Sequence, residues 1–156
     1  MSTQKGERLP PHFAMVKRYF EALDRFDVDS VVDCFSENVV FGHPQIKDWK
    51  PGVSVLHGRQ AIRDFMIEYR KKQDSHHRLT GFGEGVPFTG EKFVDGGPFY
   101  FVTVTGRNSD YLASVCIVFE VDEDGRISRY SPHVAPAAYN LQTSESYIWQ
   151  YTTAYL

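Results

Sequence analysis

Residues 15–35 read MVKRYFEALDRFDVDSVVDCF, a stretch whose spacing predicts a helix, a corner and a second helix. On a helical wheel with Phe13 at zero and about 100° per residue, Val16, Phe20 and Leu23 fall within roughly 80° on one side and Asp24 about 20° on the other. Asp24 therefore sits beside an apolar stripe, Tyr19 lands at the opposite border of that stripe, and Lys17, Arg18, Glu21 and Arg25 face water. A carboxylate against a core is costly without a partner. The adjacent pair His76 and His77, in the segment SHHRL, are the leading candidates to supply one.

Working outward, Pro10-Pro11 ends a polar, flexible lead-in over residues 1–10 and suits a helix from about His12 to Asp24. Asp27 or Asp29 can cap a short second helix through Phe35, closed by Ser36-Glu37-Asn38. Residues 38–43, NVVFGH, read as a strand stopped by Pro44, and the polar segment 45–56 as a flap. Gly58-Arg59-Gln60 opens a third helix over 61–72, with Ile62, Phe65, Met66 and Tyr69 at i, i+3, i+4 and i+7. Strands are then predicted over 75–83, 92–105 (broken at Gly96-Gly97-Pro98), 111–121 and 126–135, with turns at 106–109 and 122–125. The glycine-rich GFGEG at 81–85 suggests a bulge or bend. Helices first and a long meander second is an α+β pattern, three N-terminal helices covering a curved, mostly antiparallel sheet. Residues 138–156 carry Tyr139, Tyr147, Trp149, Tyr151 and Tyr155 and are expected to pack as a lid or across a subunit boundary. One domain spans 1–156.

A chain of 156 residues can bury about two thirds of its unfolded surface and support a pocket. The net charge is −3 and the longest basic run is Arg70-Lys71-Lys72, so no nucleic-acid footprint is present. Cys34 and Cys116 lie inside apolar runs, as small buried hydrophobes in a reducing compartment do. No apolar leader core or membrane-length run is seen, and a soluble, cytoplasmic protein is expected. No HxH, HxxxH or HxxE set occurs, and His76 and His77 diverge on a strand, which argues against a metal. No dinucleotide, P-loop or GxSxG motif occurs either, so no cofactor is expected. Aromatic residues make up 15% of the chain alongside six histidines, a composition suited to a concave site for a flat organic ligand.

The order of elements resembles the SnoaL-like branch of the nuclear-transport-factor-2-like superfamily, on the segments VKRYFEALDRFDVDSVVDCFSENVVFGHP, HGRQAIRDFM and FEVDEDGRISRY, over residues 12–137. The resemblance implies a cone-shaped barrel around a single deep cavity, in a family of isomerases, cyclases, dehydratases, hydrolases and binding proteins. RYFEALD is similar to the equivalent part of scytalone dehydratase-like enzymes and the bile acid 7α-dehydratase, where a tyrosine and an aspartate on the first helix face a histidine on the strand after the third helix. The matching positions are Tyr19, Asp24 and His77. Ketosteroid isomerases match at Tyr19, but their two carboxylate positions fall on His43 and Ile117.

The implied activity is cofactor-independent dehydration of a hydrophobic cyclic or polyketide-like ketone, with cyclisation or double-bond isomerisation as alternatives and a non-catalytic small-molecule-binding protein as the other class. His77 can take a proton beside a carbonyl and pass it to a departing hydroxyl, Asp24 can hold the imidazole, and Tyr19 can donate to the enolate oxygen. His43 at the end of the first strand, His133 on the last, and His76 in the other strand phase are candidate substrate contacts. Phe41, Tyr100 and Phe119 are expected as core or cavity wall, and His12 and His57 as solvated. An open sheet face and the aromatic tail suggest a homodimer.

Overall fold

A computed structural model describes residues 11–71, 75–92, 96–107 and 112–134. Helix α1 (Pro11–Asp24) buries Val16, Tyr19, Phe20, Ala22 and Leu23, the stripe predicted by the 3.6-residue period. It ends in a Schellman arrangement in which the Asp27 amide donates to the Ala22 carbonyl at 2.9 Å and the Phe26 amide to the Leu23 carbonyl at 3.0 Å, with Phe26 at φ 54°. A left-handed backbone at a bulky residue costs about 1–2 kcal/mol, so neighbouring contacts must hold the corner. Asp27 supplies them: it caps α2 (Val28–Asp33) by accepting from the Ser30 amide at 3.2 Å and hydroxyl at 2.7 Å. Asp24 is thereby fixed in the last turn of α1.

Strand β1 (Phe35–Gly42) starts three residues earlier than its polar opening SEN suggested, since Phe35 is fully buried and leads straight from the helix into the sheet. The segment 45–56, expected as a flap, instead contains a short helix, α3 (Ile46–Trp49), and a strand, β2 (Val55–His57), anchored by buried Ile46 and Leu56. The third predicted helix divides into α4 (Arg59–Asp64) and a π-helical stretch, Phe65–Arg70, where the Lys71 amide reaches back to Met66 at 2.8 Å. More residues per turn mean less rotation per residue, which swings Arg70 toward the buried side. Lys71, at φ 55°, ends the segment.

Strands β3 (His76–Gly85), β4 (Phe99–Arg107), β5 (Leu112–Val121) and β6 (Ile127–Val134) form an antiparallel meander. The six-stranded order is β2-β1-β6-β5-β4-β3, with β1 and β6 parallel and every other pair antiparallel. Gly106 and Arg107, expected in a turn, close β4 and pair with His77 and His76. The GFGEG run lies within β3, and a register shift falls at its head, between Leu79 and Gly81. The turn at 122–125 forms as predicted, with Gly125 at φ 80°.

Between helices and sheet lies an aromatic core in which Phe41 stacks on Tyr130 at 4.9 Å and Tyr19 meets Phe35 edge-on at 5.3 Å. This is the expected α+β architecture. No described helix is long and apolar enough to cross a membrane. The lead-in expected over 1–10 and the aromatic tail expected over 138–156 lie outside the described residues.

Candidate active site

Asp24 and His77 meet where the end of α1 crosses the start of β3. The His77 amide donates to Asp24 Oδ2 at 3.0 Å, and the imidazole Nδ1 lies 2.5 Å from Oδ1. Both carboxylate oxygens are thus committed to one residue. Exposed carbonyls at a helix C-terminus disfavour a nearby carboxylate by about 0.3–1 kcal/mol, so the position is unfavourable for Asp24 unless those two donors compensate. With the hydrogen of a neutral ring on Nδ1, facing the carboxylate, Nε2 carries a lone pair.

The imidazole packs against Phe20 at 5.0 Å and lies over Gly106 on the facing strand. A Cβ at Gly106 would come within 3.0 Å of His77 Cδ2 and 3.3 Å of Nε2, so the absence of a side chain there is what lets the ring lie down on the sheet. Gly106→Ala is therefore expected to tilt the imidazole and lower kcat about 10²-fold, the scale of a misplaced reacting group. A thermal melt should show little change beside that loss.

His77, Gly106, Tyr19, Tyr130, His43 and Arg70 all line one cavity of about 260 Å³, whose remaining wall includes Phe20, Leu23, Val104 and Ile117. Tyr19 and Tyr130 are buried side by side with ring centroids 5.3 Å apart. Burial pushes both hydroxyls above the ordinary phenol range, Tyr130 further because the neighbouring Tyr19 adds to it, while the Arg70 guanidinium draws both back. Both remain protonated near neutrality and can act as donors.

His43 accepts the Gln45 amide on Nδ1 at 3.1 Å, and its Nε2 lies 3.3 Å from Arg70 Nη1. Burial, then the Arg70 guanidinium, then His77 push its pKa down to about 3. Because the unfolded chain takes up a proton here near pH 6.5 and the folded chain does not, stability falls as pH drops from about 6.5 toward 3. The contribution reaches about 1.4 kcal/mol per pH unit. His43→Asn, which keeps an acceptor for the Gln45 amide, should flatten the dependence of unfolding free energy on pH between 6.5 and 4.5, as followed by urea denaturation.

The other sequence candidates lie elsewhere. His76 is exposed, on the opposite face of β3 from His77. His133 is exposed and within 3.3 Å of the Ser131 hydroxyl, because Tyr130 and Pro132 take the inward phase of β6. Phe41 and Phe119 are fully buried and Tyr100 nearly so; they pack in the core and are not among the residues lining this cavity. His12, expected in solvent, packs on Tyr100 at 4.5 Å, whereas His57 is exposed. Conversely Tyr130, Arg70 and Gly106 belong to the site and were not singled out from the sequence. Tyr130 had a usable signal, the alternation of Tyr130 and Pro132 with Arg129 and Ser131.

A curved sheet backed by helices, enclosing a cavity into which a carboxylate-held imidazole and two phenols project, defines a nuclear-transport-factor-2-like α+β cavity protein. The chain belongs to the SnoaL-like domain family, whose model matches residues 16–130. That family includes isomerases, cyclases and hydrolases. No curated protein matches the chain.

Among solved structures it is similar to a Kribbella flavida DSM 17836 protein provisionally described as a ketosteroid isomerase, at 19% identity over 87% of this chain and 86% of that one, TM-score 0.58. An epoxide hydrolase/cyclase-like enzyme of pyran ring formation in the polyether salinomycin is similar at 17% identity, over 81% and 92% of the two chains, TM-score 0.60. An M. tuberculosis LEH-like epoxide hydrolase is similar at 19% identity, over 80% and 83%, TM-score 0.53. At such identities the likeness is one of fold.

Proposed function

We propose that the chain is a cofactor-independent lyase that removes water from a hydrophobic cyclic ketone. The observation that carries this reading is the imidazole of His77, tied by both oxygens of Asp24 and projecting into a cavity that also holds the buried pair Tyr19 and Tyr130. Nε2 of His77 takes a proton from the carbon beside the carbonyl, and the electron pair moves onto the carbonyl oxygen. Tyr19, buried beside Tyr130, is the phenol to which we assign donation to that oxygen. As the enolate collapses, the carbon–hydroxyl bond breaks, the carbon–carbon double bond forms, and Nε2–H passes its proton to the departing hydroxyl on the same face. The products are water and an enone, and His77 returns to its starting state.

Mutational magnitudes for such groups are about 10²–10⁴ for a positioned base and about 10²–10³ for one oxyanion donor. Asp24 contributes through His77, fixing its tautomer and countering the charge of the imidazolium. Isomerisation or cyclisation shares the first proton transfer, and the isomerase and cyclase names of two structural neighbours favour that second reading.

The test uses 3-hydroxy-1-tetralone, whose loss of water gives 1-naphthol, read by fluorescence, with exchange at C2 in D₂O read by NMR. Exchange and elimination both above the His77→Asn background support a dehydratase, and exchange alone favours the second reading. Neither process above that background overturns proton-transfer catalysis.

A further inference from the structure

At one end of the cavity His43 and Arg70 face each other. His43 accepts the Gln45 amide on Nδ1 at 3.1 Å, and on that contact we assign the hydrogen of its neutral ring to Nε2. That nitrogen lies 3.3 Å from Arg70 Nη1, and a guanidinium has no acceptor to offer. In that tautomer the pair cannot satisfy one another, and both present hydrogens to the same space. The depressed pKa of His43 fits this neutral state.

Arg70 is half-buried and lines the cavity, yet no carboxylate among the described residues forms an ion pair with it. Asp24 has both oxygens engaged by His77. The π-helical stretch brings the guanidinium inward, whereas an uninterrupted α-helix turns residue 70 further from the Ile62 and Met66 face. A guanidinium held in a largely apolar hollow beside a second N–H calls for an acceptor that carries charge of its own. A transient enolate does not meet that need, because it exists only during turnover and is already served by Tyr19.

We propose that Arg70 and His43 form a carboxylate-binding end of the cavity, and that the natural substrate is a small ring ketone bearing a carboxylate. This rests on the reading of the cavity as the proton-transfer site. The guanidinium fork and the imidazole N–H together supply the geometry a carboxylate accepts. At about 260 Å³ the cavity lies just below the usual range for ligand pockets, which points to one or two rings.

Isothermal titration calorimetry with 2-naphthoate and its neutral counterpart 2-acetonaphthone tests the proposal. The wild-type chain is expected to bind the carboxylate at least tenfold more tightly. Arg70→Met should bring that ratio to about one while leaving 2-acetonaphthone affinity within threefold, and Arg70→Lys, which keeps the charge but loses the fork, should give an intermediate ratio. His77→Asn should leave the preference intact, so loss of turnover and loss of anion recognition separate cleanly. Equal binding of the two probes by the wild-type chain overturns the proposal, as does a preference that survives in a folded Arg70→Met variant. A preference for 2-naphthoate without any C2 exchange supports the anion site and counts against the proton-transfer reading alone.

Discussion

His77→Asn lowers kcat for 1-naphthol formation about 10³-fold, the middle of the range for a lost general base, while KM stays within a few-fold of wild type. Asparagine is the informative replacement because its side-chain N–H can take the place of Nδ1–H toward Asp24 Oδ1, and the backbone amide that bonds Oδ2 is untouched. What disappears is the basic nitrogen facing the cavity, together with the ring contact to Phe20. An aromatic contact of that kind contributes about 0.5–1.5 kcal/mol, a shift of a few degrees in melting temperature for a chain of this size. A large kinetic loss beside a small thermal one separates a catalytic imidazole from a structural one. C2 exchange in D₂O should fall in parallel with elimination, since both begin with the same proton removal. If elimination falls and exchange persists, His77 acts as an acid toward the leaving hydroxyl and another group is the base.

The part of this site that the sequence made legible is the part governed by local periodicity. Asp24 and Tyr19 border a helical stripe whose phase is set by five buried residues within one helix, and no distant information is needed to place them. The choice between His76 and His77 is different in kind. Alternation on a strand separates the two histidines without saying which faces inward; that phase comes from the pairing of His77 with Gly106 on β4 and from the irregularity at Leu79 and Gly81. Strand β2 has one buried residue, Leu56, and exists because β1 offers it an edge. The parallel pairing of β1 with β6 joins segments nearly ninety residues apart, and that pairing brings Tyr130 beside Tyr19. Arg70 was hidden because a search at 100° per residue assumes an α-helix, and the chain widens into a π-helical stretch five residues before it.

Asp24→Asn is expected to lower kcat by about 10²–10⁴ with a melting temperature within a few degrees of wild type. The amide is nearly the same shape as the carboxylate, and its oxygen can still accept from the His77 amide. Its nitrogen then faces Nδ1 as a donor, so the ring accepts there and carries its hydrogen on Nε2, toward the cavity. That tautomer cannot take a proton from substrate, which is how an orienting aspartate controls a base without touching the reacting atoms. Two terms act on stability in opposite directions. Losing a bond to a charged acceptor costs about 1.5–3 kcal/mol at most, and removing a negative charge from the last turn of α1 returns about 0.3–1 kcal/mol. Asp24→Ala gives the contrast, because the His77 amide and Nδ1–H then lack their acceptor and about 1–3 kcal/mol is lost for each donor left unsatisfied. Activity lost in both variants, with a clear drop in melting temperature only in Asp24→Ala, assigns Asp24 to tautomer control. Wild-type turnover by Asp24→Asn would instead make the carboxylate a tie between α1 and β3, and the base at Nε2 would need another explanation.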